Sequence, residues 1–67
     1  MGEIRLNGRP RAIVPGVTLT ELLGELELDP RWIVAELNGE PLSRESFPEA
    51  RLSDGDRLEL VRPVAGG

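Results

Sequence analysis

The chain has 67 residues, no cysteine, no histidine, and twelve acidic against eight basic side chains. A unit this small holds one core, buries only about 60% of its unfolded surface and has no room for a large catalytic cavity; lacking cysteine and histidine, it has no disulfide, no thiolate nucleophile, no Cys-based metal site and no ordinary general base near neutral pH. The net charge of −4 disfavours nucleic-acid binding, where phosphate neutralisation supplies most of the affinity, and the absence of disulfides, an apolar leader and a membrane-length apolar run points to a cytoplasmic protein that does not enter the membrane.

Glu3-Ile4-Arg5-Leu6 alternates polar and apolar, the pattern of a half-buried strand. Asn7-Gly8 follows, and both residues tolerate the positive φ of a tight hairpin. Arg9 to Val14 is the returning strand, with Pro10, Ala12 and Val14 on one face and Arg9, Arg11 and Ile13 on the other. Pro10 assigns it to a sheet edge, and Pro15-Gly16 breaks it. Thr18 to Glu21 forms a capping box, with Val17 and Leu22 placed as a hydrophobic staple. Leu19, Leu22, Leu23 and Leu26 make the apolar stripe of an amphipathic helix. Gly24 lies off that stripe and weakens the helix by about 1 kcal/mol relative to alanine. Asp29-Pro30 is expected to close the helical region, since the residue before proline is pushed out of the α basin.

Trp32 to Leu37 reads as a strand, with Ile33, Ala35 and Leu37 on one face and Val34 and Glu36 on the other. Asn38-Gly39 turns the chain into Glu40-Pro41-Leu42. Ser43 is expected to cap one helical turn over Arg44, Glu45 and Ser46, closed by Pro48, with Phe47 packed inward. Arg51-Leu52 pairs briefly, Asp54-Gly55-Asp56 turns, and Arg57 to Arg62 is the last strand, with Leu58 and Leu60 facing the core. The order β-β-α-β-β-β gives one helix to cover one sheet. With the last strand inserted beside the first, it satisfies the layer and crossover rules. The expected fold is α+β: a β-grasp, or ubiquitin-like, roll with a mixed sheet of four to five strands and one main helix. It forms a single domain over residues 1–67, with a flexible tail over 63–67.

That tail is the distinctive stretch. Pro63 has a fixed φ and no N–H, so strand pairing stops near Arg62. Gly66 and Gly67 carry no side chains and explore φ on both sides of zero. The result is a stiff segment with a loose tip, able to thread a slot too narrow for other residues. Its terminal carboxylate, with a reference pKa near 3.5, is ionised at neutral pH. It can attack an electron-poor phosphorus such as the α-phosphate of ATP. The plain alternative is an ordinary frayed end.

Other chemistry is sparse. Asp54 and Asp56 have the residue types of a metal or acid/base pair, but two carboxylates around a glycine are far more often a turn. Glu25, Glu27 and Asp29 make a solvated face or a contact for a basic partner. Arg5, Arg9 and Arg11 are a small basic patch or simply solvated strand residues. Trp32 is a partner anchor or a shield over the helix end, the latter being the expectation. Ser43, Ser46 and Ser53 have no base to activate them. No catalytic constellation emerges, and the chain reads as a carrier or co-substrate rather than an enzyme. All eight basic residues are arginine. Compositional bias is the simpler account; the sharper one is that an activated terminus would meet no lysine amine on its own chain.

Asn7-Gly8, Thr18-Leu19-Thr20-Glu21-Leu22-Leu23, Val34-Ala35-Glu36-Leu37-Asn38-Gly39, Leu42-Ser43-Arg44, Asp54-Gly55-Asp56 and the terminal Ala65-Gly66-Gly67 together resemble the ThiS sulfur carriers of thiamine thiazole biosynthesis. These belong to the ubiquitin-like ThiS/MoaD group. The resemblance spans nearly the whole chain and implies a β-grasp fold. It implies that a ThiF-like adenylating enzyme uses ATP and magnesium to activate Gly67, the carrier itself binding no cofactor or metal. A sulfur donor protein then forms a thiocarboxylate, and a ThiG-like thiazole synthase takes the sulfur. It implies that Gly66, Ala65 and Val64 thread into the partners, that Val61 and Pro63 lie at the partner interface, and that the free carrier is a monomer. The Arg62 to Gly67 ending also resembles MoaD, the carrier for molybdopterin synthase, and carriers for tRNA thiolation share the architecture. A β-grasp interaction domain with incidental terminal glycines is the alternative of a different class.

Overall fold

Two Asn-Gly pairs set the frame of the sheet. Asn7 and Gly8 have φ of 51° and 83°, and Asn38 and Gly39 have φ of 52° and 85°. Positive φ at both central residues matches the twist of the strands that a type I′ turn joins. In this computed structural model, which describes residues 1–63, the first pair joins β1 (Gly2–Leu6) to β2 (Arg9–Ile13). The second joins β3 (Val34–Leu37) to β4 (Glu40–Leu42). The final strand, β5 (Arg57–Val61), lies between the hairpins, parallel to β1 and antiparallel to β3. The strand order is β2-β1-β5-β3-β4. Among the described residues one α-helix, α1 (Leu19–Glu25), packs on one face. This is the expected β-grasp roll, at the five-strand end of the expected range.

The turn asparagines do more than permit the turn. Asn7 Oδ1 accepts the Leu60 N–H, and Asn38 Oδ1 accepts the Arg57 N–H, each at 2.8 Å. Each hairpin turn therefore holds one end of β5. Between them Leu58 is fully buried, with Ile4, Leu22, Leu23, Phe47 and Leu52 also 2% exposed or less.

The start of α1 follows the sequence reading. The Thr18 N–H donates to Glu21 Oε1 at 2.8 Å, and the Glu21 N–H donates to Thr18 Oγ1 at 3.1 Å. Its end does not. Glu27 takes a φ of 58°; its N–H donates to the Gly24 carbonyl, and the Leu28 N–H donates to the Leu23 carbonyl. These two bonds form a Schellman motif, which satisfies the last carbonyls, so the helix stops before Asp29-Pro30 acts. Asp29 instead opens a separate 3₁₀ turn, Pro30–Trp32, by accepting the Arg31 N–H at 2.9 Å. Trp32 therefore sits in a turn, and β3 begins only at Val34.

Register decides what alternation left open in β2. Ile4 pairs with Arg11 and Gly2 with Ile13, so Arg9, Arg11 and Ile13 share the helix side of the sheet. Arg5 pairs with Pro10 on the open face. The three arginines thus form no patch, and Arg11 lies 3.6 Å from Glu25 of the helix. Leu6–Arg9 and Leu37–Glu40 flank their turns, which makes them the hydrogen-bonded pairs. Pro10 and Pro41 occupy the next positions, where the backbone nitrogen points out of the sheet. Both edges thus lack an outward N–H at mid-strand, a common defence against strand addition.

The remaining loops are short. Ser43 precedes the Arg44–Ser46 3₁₀ turn, but its hydroxyl bonds the Ser46 hydroxyl at 2.8 Å and caps no backbone N–H. Arg51 makes the expected brief pairing, with Thr18. Asp56 accepts the Ser53 N–H and closes the turn, whereas Asp54 accepts the Glu3 N–H and ties the turn to β1, both at 2.8 Å. Among the described residues, no helix is long and apolar enough to cross a membrane.

Candidate functional site

Alternation along β5 sends Leu58 into the core and Val61 to the open face. Val61 is 56% exposed and pairs with Val34, itself 49% exposed. Arg62 and Pro63 continue past the end of the sheet, exposed. Pro63 joins Val34, Trp32, Arg31 and Arg44 around a shallow recess of about 190 Å³. Trp32 is 60% exposed. It therefore does not shield the helix end, because the Schellman motif releases the chain early and the 3₁₀ turn carries the indole outward. Trp32, Val34, Val61 and Pro63 make an exposed apolar surface at the root of the C-terminal segment. On the opposite side of β5, Leu6, Leu26, Leu28, Leu60 and Arg62 line an open groove, but there the leucines are half-buried and packed against the core.

Charge at the recess is ordered. Arg31 grips Asp29 through Nε and Nη2, the shortest contact being 2.7 Å. These side-chain bonds, then the Arg31 backbone N–H, hold the Asp29 carboxyl below its ordinary range. The same pairing raises the Arg31 guanidinium. Arg31 lies 5.8 Å from the centre of the Trp32 ring, within cation–π range. Arg44 Nε donates to the Pro30 carbonyl at 3.1 Å, which ties the second 3₁₀ turn to the first.

Of the site residues expected from sequence, Val61 and Pro63 flank this surface together. Val64, Ala65, Gly66 and Gly67 lie outside the described residues. Asp54 and Asp56 sit at the start of β5, the far end from Pro63. Sequence reading passed over Val34 as a docking residue and did not link Trp32 to it. The signal was present in the outward phase of Val34 between Ile33 and Ala35. Among the described residues, no three acidic side chains are grouped to hold a metal ion.

A β-grasp sheet whose central strand runs out beside an exposed apolar surface places the chain among the small ubiquitin-like proteins. The ThiS family model matches residues 4–67. The chain is 37% identical over 62 residues to the sulfur carrier protein ThiS of Thermus thermophilus, covering 92% of this chain and 95% of that one. It is 37% identical over 65 residues to a thiazole synthase of Paramagnetospirillum magneticum, covering 97% of this chain but 20% of that protein. It thus spans about a fifth of the length of that relative. The crystal structure of the thiamine biosynthesis protein ThiS from Geobacter metallireducens superposes with a TM-score of 0.84 at 34% identity, covering 97% and 99% of the two chains. This chain belongs to the ThiS family.

Proposed function

We propose that the chain is a sulfur carrier for thiamine thiazole formation and that the α-carboxylate of Gly67 is its working group. The observation that carries this reading is the family match, which runs through residue 67 on a fold whose central strand leads directly to that segment. A carboxylate oxygen of Gly67 attacks the α-phosphorus of ATP on a ThiF-like adenylating enzyme, and pyrophosphate leaves. The magnesium and the nucleotide belong to that enzyme. Sulfide-level sulfur delivered by a sulfur donor protein then attacks the acyl carbon, the C–O bond to the phosphate breaks, AMP leaves and Gly67 ends as a thiocarboxylate. A ThiG-like thiazole synthase receives the sulfur, a role in keeping with relatives that carry this unit within proteins named thiazole synthase.

In this mechanism the fold contributes position rather than catalysis. β5 is fixed at both ends by Asn7 and Asn38, so its exit direction is set. Pro63 has no N–H with which to extend the ladder past Arg62. Gly66 gives clearance where the tail passes through a partner. Val61 and Pro63 meet that partner as the tail enters. The carrier works in the cytoplasm as a free monomer between encounters.

The test is intact-mass spectrometry after incubation with the adenylating enzyme, Mg-ATP and a sulfur source. The carrier should gain the difference between one sulfur and one oxygen. Deleting Gly67, replacing Gly66 with a bulky residue, or extending the chain beyond Gly67 should each abolish the gain while leaving the fold intact. Restoration of thiazole synthesis in carrier-deficient cells assigns the pathway. An unchanged mass with every adenylating enzyme of the source cell would overturn the reading.

A further inference from the structure

The exposed apolar surface borders a recess whose rim is cationic. Trp32, Val34 and Pro63 form its apolar walls, and Arg31 and Arg44 flank them. Asp29 neutralises Arg31 at 2.7 Å. Arg44 has no ion-pair partner among the described residues. The recess therefore carries about one net positive charge, on a chain whose total is −4.

Trp32 is held out rather than left out. Asp29 caps the turn that carries it, Arg31 lies over its ring, and the next residue, Ile33, is anchored in the core at 3% exposure. Arg44 is fixed through the Pro30 carbonyl. A pre-positioned tryptophan between arginines is the composition that dominates binding energy at protein interfaces, and ordering these side chains beforehand lowers the entropic penalty of docking.

We propose that this recess is a docking pocket for the thiazole synthase, taking one apolar side chain flanked by a carboxylate. The proposal rests on the sulfur-carrier reading. Charge selects the carboxylate, which Arg44 is placed to receive. The small volume selects a single side chain rather than a whole helix. Relatives that carry this unit within a thiazole synthase select the partner. Pro63 on the wall adds a distance constraint. On the reading that Gly67 carries the sulfur, the working group stands four residues beyond Pro63, and at 3.3–3.6 Å per extended residue that span reaches about 13–14 Å at most. A synthase held in the recess must place its sulfur-accepting atom within that radius, so docking sets the reach of the tail.

The experiment compares the full chain with Trp32→Ala, Trp32→Phe and Arg44→Glu. Calorimetry measures affinity for the thiazole synthase of the same organism, and mass spectrometry measures sulfur loading by the adenylating enzyme. Thermal melting confirms that each variant folds. Trp32→Ala and Arg44→Glu should each weaken synthase binding about tenfold or more, Trp32→Phe should restore most of it, and loading should persist. Synthase binding within about twofold of wild type in both variants overturns the pocket while leaving the carrier function in place. So does a loss of loading with synthase binding kept, which would give the recess to the adenylating enzyme. A wild-type chain that neither loads sulfur nor binds the synthase removes the carrier reading and the pocket with it.

Discussion

Gly24→Ala should make the protein more stable without touching its function. Gly24 lies in the last turn of α1, exposed, and beyond its chain neighbours and the helix's own backbone nothing comes within 4 Å of where a Cβ would stand. Its backbone is helical, and the Schellman bond uses its carbonyl, which alanine retains. The gain is therefore almost wholly the conformational entropy that glycine loses on folding, roughly 0.5–1 kcal/mol. At about 2.1 cal/mol/K per residue, a unit of this size unfolds with an entropy near 0.14 kcal/mol/K, so Tm should rise by about 4–7 °C. Gly39→Ala is the matched control. It too has open space, but its φ is +85°, and the left-handed conformation costs a residue with Cβ about 1–2 kcal/mol. Circular-dichroism melts and urea titrations of both variants give the test, with an unchanged m-value expected. A fall in Tm for Gly24→Ala, or a rise for Gly39→Ala, would refute the argument that backbone conformation alone sets the sign. Sulfur loading of Gly24→Ala should match wild type, because the helix lies on the face opposite Val61.

Leu22→Ala removes a side chain only 1% exposed and should cost about 2–5 kcal/mol through transfer and cavity terms; denaturant unfolding should show much of the population unfolded, whereas Leu60→Ala, at a half-buried site, should lose less. The Thr18 backbone N–H, and after it the Thr18 hydroxyl, hold Glu21 below its ordinary value of 4.5. The carboxylate half of the capping box therefore contributes fully above pH 4.5 and is weakened as pH falls through the lower folded value; Tm should drop less across that window in Glu21→Gln, and parallel curves would count against the charged half of the cap. Replacing Pro10 and Pro41 together by threonine restores an outward N–H at each sheet edge and should produce concentration-dependent association by sedimentation, while unchanged monomer would show that the prolines are not what blocks pairing.

Much of the fold was legible because its local signals agree. The two Asn-Gly turns, the Thr18 capping box and the leucine stripe each fix a short stretch of chain through backbone sterics or hydrogen bonds between near neighbours. Such interactions need nothing from the rest of the molecule. The inward phase of Ile33, Ala35 and Leu58 was readable for the same reason, since a strand has period two. Val61 and Pro63 were legible as exit residues because their place follows from where β5 must end.

What the sequence by itself determined, then, is the two hairpins, the start of the helix and the β-grasp order. Tertiary structure alone decided the rest. Glu27, not Asp29-Pro30, ends α1, because Leu26 and Leu28 both pack against the core and the left-handed φ at Glu27 between them lets the chain make the two closing hydrogen bonds. Pairing of β2 with β1 put Arg5 on the opposite face from Arg9 and Arg11, which alternation within one strand could not reveal. The recess of Trp32, Val34, Arg44 and Pro63 draws on three separate stretches of chain. Contacts between residues distant in sequence are fixed by packing and register, and no local pattern encodes them.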